Sequence, residues 1–284
     1  MEENEAMLSN YEFNLSDFAL FLSVMKNPRA YRNVLSIFLE ESDIEIKEVK
    51  VEQVILNKSG KRAIRLDAWA RSTDERQFNM EMQNDTSKDD VRKRSRYYQG
   101  LLDSPILKSG KETRYKYLPS TVIIFITQDD IFGMDRAQYT FSEQCEEIAG
   151  LKLDDGTKKI FFNLTSKNGS QELISLLQYM KRTDIQNPDI TVKDERILEL
   201  DDIVQEVKAS EEWGAVKMSI LEIGIEKGTE IGIQRGLQQG LQLKLREQVE
   251  KKLKKGLSVA EIADMLEEEE SVIVQIVEII NNNK

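Results

Sequence analysis

The sequence of 284 residues predicts an α/β fold, in which a mixed sheet is flanked by helices and followed by a long helical extension. Two segments, 64–71 and 77–83, alternate apolar and polar residues, which is the pattern of half-buried strands. A third segment, Thr121–Thr127, is a nearly continuous apolar and β-branched run, typical of a central strand with a parallel neighbour. With the helical patterns around them, these segments give the order α-β-β-β-α-β.

The elements before the two alternating strands follow from spacing and turn residues. Leu15 to Met25 and Ala30 to Glu41 have helical periodicity, and Pro28 between them suits a first helical turn. Residues 49–56 alternate again and predict a strand with both faces partly covered. The run Asn57–Gly60 predicts the turn that ends this strand.

Each of the two alternating strands carries one carboxylate on its polar face. The apolar residues are Ile64, Leu66, Ala68 and Ala70 in the first strand, and Phe78, Met80 and Met82 in the second. If Ser72 pairs with Arg76 across a three-residue loop, the register sets Asp67 opposite Glu81, with Cβ atoms roughly 4.5–5.5 Å apart. Two facing carboxylates are unfavourable unless a cation lies between them or one is protonated. The pair therefore suggests a divalent metal site in a solvent-reachable cleft.

Composition excludes several kinds of chemistry. The chain has no histidine, which removes histidine-based nucleophilic schemes, zinc sites and general bases. Its single cysteine, Cys145, has no partner for an intramolecular disulfide. The start MEENEAMLSN lacks the pattern of a signal peptide, and no apolar run approaches ~18 residues. We expect a cytoplasmic protein without a membrane segment.

A basic stretch follows the second acidic strand, although the net charge of the chain is −11. Residues 88–116 hold nine cations and four anions, in a helix predicted from about Lys88 to Asp103. The cations are Lys88, Arg92, Lys93, Arg94, Arg96, Lys108, Lys111, Arg114 and Lys116. Phosphate contacts act over about a Debye length of ~8–10 Å, so such a helix can serve a nearby metal site. The alternative is a solvated helix face that happens to be basic.

Downstream elements complete a first domain over residues 1–210. Ala137 to Phe141 and Lys159 to Phe162 predict short strands, and Gln171 to Lys181 and Asp194 to Ser210 predict helices. We expect the two helices to have mostly structural roles.

The tail contains glycines at every fourth position, namely Gly224, Gly228, Gly232, Gly236 and Gly240. Each glycine costs a helix about 1 kcal/mol relative to alanine, so a compensating contact is expected. We predict a helix from about Glu211 to Lys255, in a segment 211–256, that binds another copy or a partner; the alternative is a flexible linker. Residues 257–284 begin with the capping-box residues Ser258 and Glu261 and predict two short helices resembling a helix-turn-helix. The acidic run Glu267–Glu270 favours packing or regulation over DNA readout.

An ordered set of motifs resembles the PD-(D/E)XK nuclease family transposases, also called recombination-promoting nucleases. The motifs are Arg65-Leu66-Asp67, Phe78-Asn79-Met80-Glu81-Met82-Gln83, Arg94-Ser95-Arg96-Tyr97-Tyr98-Gln99, Ile124-Phe125-Ile126 and Asp130-Ile131-Phe132-Gly133. The likeness spans roughly Leu15 to Trp213. It implies a restriction-endonuclease-like core, a mixed four-stranded sheet flanked by helices, which cuts double-stranded DNA with Mg²⁺ or Mn²⁺.

The resemblance implies that Asp67 and Glu81 hold the metal, and the residues near them suggest further roles as a hypothesis. Asp67, Glu81 and the Met82 backbone carbonyl would hold the metal, and Gln83 would position the attacking water. Gln83 stands where the wider superfamily has lysine, and Arg65, Lys93 or Arg94 could supply the missing charge. The residues that would contact DNA are Arg92, Lys93, Arg94, Arg96, Tyr98 and Gln99. For Tyr97, Tyr98 and Gln99 a packing role competes, and Glu40 or Glu41 could complete the metal shell.

Two function classes remain open at this point. One is a metal-dependent DNA endonuclease that promotes recombination or acts on mobile or foreign DNA. The other is an oligomeric DNA- or partner-binding regulator that has kept the nuclease fold but lost effective catalysis. The glutamine at position 83 is the main argument for the second class.

Overall fold

The computed structural model describes residues 11–55, 62–87, 89–106 and 114–282. The turn predicted at Asn57–Gly60 lies outside these residues, as does Lys88, the expected start of the basic helix. As far as the chain is described, it divides into two compact units, the first ending at Val216 and the second beginning at Lys217.

The first unit contains the predicted elements in the predicted order. Its helices are α1 (Phe18–Met25), α2 (Pro28–Leu39), α3 (Val91–Asp103), α4 (Gln171–Lys181) and α5 (Glu195–Lys208). Its strands are β1 (Ile46–Ile55), β2 (Ile64–Ser72), β3 (Gln77–Gln83), β4 (Thr121–Thr127), β5 (Gln138–Phe141) and β6 (Thr157–Asn163). Pro28 occupies the first turn of α2, as expected, after the N-cap Asn27.

Within the described residues, six strands form one mixed sheet in the order β1-β2-β3-β4-β6-β5. This is two strands more than the core that the family resemblance implies, and short β5 adds antiparallel to the outer edge of β6. Strand β4 is buried along its whole length and runs parallel to both β3 and β6. The prediction of a central parallel strand is therefore confirmed, as is the α/β class with a mixed sheet flanked by helices.

The β2–β3 hairpin has the predicted register. Arg71 pairs with Gln77 and Ala68 with Met80, while the Ser72 N–H donates a hydrogen bond of 3.0 Å to the Arg76 carbonyl oxygen. Glu75 closes the three-residue loop in the left-handed region, with φ 65°, as such loops require at their last position. This loop geometry aligns Asp67 with Glu81.

The expectation that β2 and β3 are only half-buried is wrong, because helices cover both faces of the sheet. Helices α1, α2, α4 and α5 cover one face and α3 covers the other. The apolar residues of β2 also do not share one face: Leu66 packs with the α3 side and Ala68 with the opposite side. The alternation thus changes phase at Asp67. The pairs Val51–Ala68 and Gln53–Leu66 on either side place Glu52 of β1 opposite Asp67, and Glu52 has a left-handed φ of 51°.

The second unit is helical. Helix α6 (Glu211–Leu253) begins in the first unit and continues into the second, where α7 (Val259–Leu266) and α8 (Glu270–Asn282) follow. The apolar side chains at the centre of this unit are Val249, Ile262, Ala263, Ile273 and Ile280. Both hydrogen bonds of the predicted capping box are present between Ser258 and Glu261. None of the described helices has the length together with the apolar composition of a membrane-spanning segment.

Candidate active site

Asp67 and Glu81 lie side by side at the end of the hairpin, joined by two crossed hydrogen bonds. The Asp67 N–H donates to Glu81 Oε1 at 3.0 Å, and the Met82 N–H donates to Asp67 Oδ2 at 3.0 Å. Each carboxylate thus accepts a hydrogen bond from a backbone N–H of the other strand. The backbone of Met82 therefore lies beside the pair. The two carboxylates share one region of the sheet, as the sequence register predicts.

The alternating pattern predicted half-exposed strands, but both carboxylates are buried. Asp67 is 6% exposed and Glu81 is 0% exposed. Burial raises the pKa of Asp67 to about 6. For Glu81, burial and the facing charge of Asp67 raise the pKa to about 8. Two close acids in a low-dielectric site resist simultaneous ionisation, so the pair favours holding a proton or a cation.

Arg94 of α3 is the cation that the fold brings to this pair. Its Nη2 donates to Glu81 Oε2 at 3.1 Å and its Nη1 donates to Gln83 Oε1 at 2.7 Å. The hydroxyl of Tyr98 accepts from Nε at 2.8 Å and from Nη2 at 2.6 Å. The guanidinium carbon also lies 5.0 Å from the ring centre of Tyr98, so the side chain is held from several directions.

Arg65 and Lys93, the other candidates for a substitute cation, do not make these contacts. Arg65 pairs with Glu52 at 3.4 Å and lies over the ring of Phe18. Lys93 is exposed and pairs with Asp90 at 3.7 Å. Helical spacing explains the difference, because position 94 lies on the buried side of α3 with Tyr98, whereas position 93 points outward.

Sequence reasoning missed the part played by Asn79. Its side chain is fully buried, and its Nδ2 donates to Glu81 Oε1 at 2.9 Å, which gives that oxygen a second donor. The signal was available, since Asn79 and Glu81 are two residues apart and so share a face of β3. Glu52, whose charge also raises the pKa of Asp67, was missed too, because its left-handed backbone leaves no mark in the alternation.

A family model for the PD-(D/E)XK nuclease family transposases matches residues 16–212. The chain belongs to this family. Searches of curated proteins and of solved structures returned no match. The sheet with its flanking helices is consistent with the PD-(D/E)XK nuclease fold.

The donor set of this PD-(D/E)XK domain suits a hard divalent ion. Carboxylate and backbone oxygens are the ligands that Mg²⁺ and Mn²⁺ take in proteins. Asp67 Oδ1 accepts no hydrogen bond from the described residues, so one carboxylate oxygen of the pair is available to a cation. No third acid completes a cluster there in the described part of the chain. Glu41 instead binds Arg76 at 2.7 Å, beside the hairpin loop, and Glu40 forms the C-cap of α2.

The remaining basic residues of α3 form its outward face in the PD-(D/E)XK domain. Arg92, Lys93 and Arg96 are exposed, and Asp90 caps the helix by accepting from the N–H groups of the first two. Tyr98 and Gln99 are buried between α3 and the sheet, and the Tyr98 side chain packs in the apolar cluster there. The structure therefore favours the packing role for these two residues.

Proposed function

We propose that the protein is a metal-dependent DNA endonuclease of the recombination-promoting type, which hydrolyses phosphodiester bonds in double-stranded DNA. The observation that carries the proposal is the buried pair of Asp67 and Glu81, aligned by the hairpin register in a chain of the nuclease family. The pair is unfavourable as two bare charges and suits a divalent cation.

In this proposal Asp67 and Glu81 hold Mg²⁺ or Mn²⁺, together with the backbone carbonyl of Met82. The bound metal would supply Lewis-acid charge and lower the pKa of a coordinated water. The protein holds the carboxylates in place through the crossed hydrogen bonds and through Asn79, so their geometry is fixed before substrate binds. Gln83 and Arg94 border the pair on the side that is partly exposed.

The outward face of α3 is the proposed DNA contact. Arg92, Lys93 and Arg96 share one side of the helix, and Arg94 on the inner side reaches the carboxylates. A duplex bound along this face is therefore held by the helix that also contributes to the site. Phosphate contacts of this kind position DNA without selecting sequence.

We further propose that the C-terminal helix joins copies of the chain. Large apolar side chains are exposed along α6, including Met218, Ile223, Ile233, Leu237 and Leu241. A methyl group at Gly228, Gly232 or Gly236 would have no described neighbour within 4 Å outside its own stretch of helix, so another helix could approach the glycine stripe closely. A second copy of the same helix is the proposed occupant.

Plasmid cleavage tests the proposed activity. Supercoiled DNA incubated with the protein and Mg²⁺ should become nicked or linear, and Asp67→Ala or Glu81→Ala should abolish this conversion. Asp189→Asn is the matched control, since Asp189 is an exposed acid paired with Lys167 away from the site. Cleavage that persists in both alanine variants would remove this pair from catalysis.

A second candidate function is a nuclease-fold regulator with weak or no catalysis. Two observations favour it: glutamine at position 83, and the complete burial of Glu81 with Arg94 on its Oε2 oxygen. This candidate predicts DNA binding without Mg²⁺-dependent cutting by the intact chain. The same plasmid assay, run beside a DNA-binding measurement, separates the two functions.

A further inference from the structure

A positive charge beside the scissile phosphate, in addition to the metal, would favour the reaction of the proposed endonuclease, and the neutral amide of Gln83 cannot supply that charge. Phosphodiester hydrolysis builds negative charge on the phosphate oxygens, which a fixed cationic donor stabilises far better than a neutral amide. The catalytic role that we propose below for Arg94 rests on this proposed function.

The guanidinium of Arg94 is fixed by four of its five N–H donors. Nε and one Nη2 hydrogen go to Tyr98, the second Nη2 hydrogen goes to Glu81, and one Nη1 hydrogen goes to Gln83. The other Nη1 hydrogen has no acceptor among the described residues. The Arg94 side chain as a whole is 23% exposed, and it contacts Glu81 directly, so this unused donor belongs to a cation beside the carboxylate pair.

Gln83 is tied at both ends of its amide. Its Oε1 accepts from Arg94 Nη1 at 2.7 Å, and its Nε2 donates to the Asp85 carbonyl oxygen at 2.8 Å. In this arrangement the carbonyl end of the amide is committed to Arg94. The side chain therefore acts as a brace between the end of β3 and the guanidinium.

We propose that Arg94 is a catalytic residue that donates from Nη1 to the scissile phosphate, and that Gln83 is a positioning residue that orients this donor. The charge supplied elsewhere in the superfamily by lysine on the strand is supplied here from α3. As a water oxygen bonds to phosphorus and the bond to the leaving sugar oxygen breaks, the water releases a proton and the leaving oxygen takes one up. Arg94 stays protonated throughout, because its role is electrostatic.

Cleavage at saturating DNA tests both roles. Arg94→Gln should lower the rate about 10²–10³-fold, the usual effect of removing a transition-state donor. Gln83→Leu should lower it less, by about tenfold, and the double variant should match Arg94→Gln alone, since Gln83 acts through Arg94. Adding Gln83→Lys to Arg94→Gln should restore part of the rate, because it returns a cation to the strand. Arg182→Gln, at an exposed arginine paired with Asp184, is the control.

Metal binding gives a readout that is independent of cleavage. Arg94 and a bound cation share Glu81, so Arg94→Gln should bind Mn²⁺ more tightly than the wild-type chain, by a few-fold, while cutting more slowly. A merely structural role predicts weaker metal binding and weaker cutting together, and that result would overturn the assignment.

The outcomes separate this inference from the proposed function. Wild-type cleavage that Arg94→Gln retains within about threefold would overturn the role of Arg94 and leave the proposed function in place. Additive losses in the double variant would overturn the positioning role of Gln83. A wild-type chain that cuts no DNA would contradict the proposed function itself, and the catalytic role of Arg94 with it.

Discussion

At the scale of single residues, the carboxyl group of Asp67 links stability to pH. Its folded pKa is raised to about 6 by burial, whereas an unfolded aspartate titrates near ~3.9. Between these values the folded chain binds more protons than the unfolded chain, so the free energy of unfolding falls as pH rises from about 4 to about 7. At neutral pH the ionised Asp67 carboxylate therefore lowers the free energy of unfolding of the metal-free protein.

Asp67→Asn should therefore stabilise the metal-free protein at pH 8. We expect a gain of about 1–2 kcal/mol in the free energy of unfolding, since the buried charge is removed while an oxygen remains to accept from Met82. The gain should shrink towards pH 4. Denaturant unfolding in EDTA at several pH values measures it. Asp189→Asn should show no such gain, because its pairing with Lys167 lowers the pKa of Asp189; equal effects in both variants would contradict the account.

At the scale of elements, the basic residues of α3 lie on two different sides of the helix. Arg94 faces the sheet beside Tyr98, and Arg92, Lys93 and Arg96 face outward. The sequence predicts the basic helix, and helical periodicity alone could have separated its inner and outer residues.

Neutralising the outward face should weaken DNA binding and its dependence on salt. Changing Arg92, Lys93 and Arg96 to Gln should reduce the slope of log K against log[salt] by about 0.9 for each DNA phosphate that is no longer neutralised. Binding of a short duplex in Ca²⁺, at several salt concentrations, measures this slope. The matched control changes Lys152, Lys158 and Arg182, which are exposed elsewhere in the same unit. An equal effect in the control would show that only total charge matters.

The register of the β2–β3 hairpin could be predicted from the sequence, but the burial of its two strands could not. Alternation and turn residues predict β2, β3 and their register, because period and loop length fix which residues face each other. The burial of both faces was not predicted, since polar residues such as Asn79 and Glu81 are buried by bonding to one another. The phase change at Asp67 was not predicted either, and it lies opposite the left-handed backbone of Glu52, a conformation that the side-chain pattern does not encode.

At the scale of the whole molecule, the predicted end of the first domain at residue 210 can be compared with the packing of the first compact unit. Trp213 is buried in the core of the first unit, where its ring meets that of Phe13 edge-on at 5.1 Å. The first unit continues to Val216. We therefore propose residue 216 as the end of the nuclease-like domain.

We propose that copies of the chain associate along the glycine stripe of α6. Gly232→Ala with Gly236→Ala should weaken association at least tenfold, because methyl groups would prevent close helix approach, while the helix itself gains propensity. Gln234→Ala with Gln238→Ala is the control on the opposite side of the helix. Sedimentation velocity measures the association, and circular dichroism measures the helix content. Unchanged association in the glycine variant would contradict the proposal.

In the proposed function, Asp67 and Glu81 bind one divalent cation between them. Calorimetric titration of the intact chain with Mn²⁺ at neutral pH measures this binding. We predict one ion per chain, and loss of that binding in both Asp67→Asn and Glu81→Gln, with Asp189→Asn unchanged. Binding that survives in both site variants, or no binding by the wild-type chain, would contradict it.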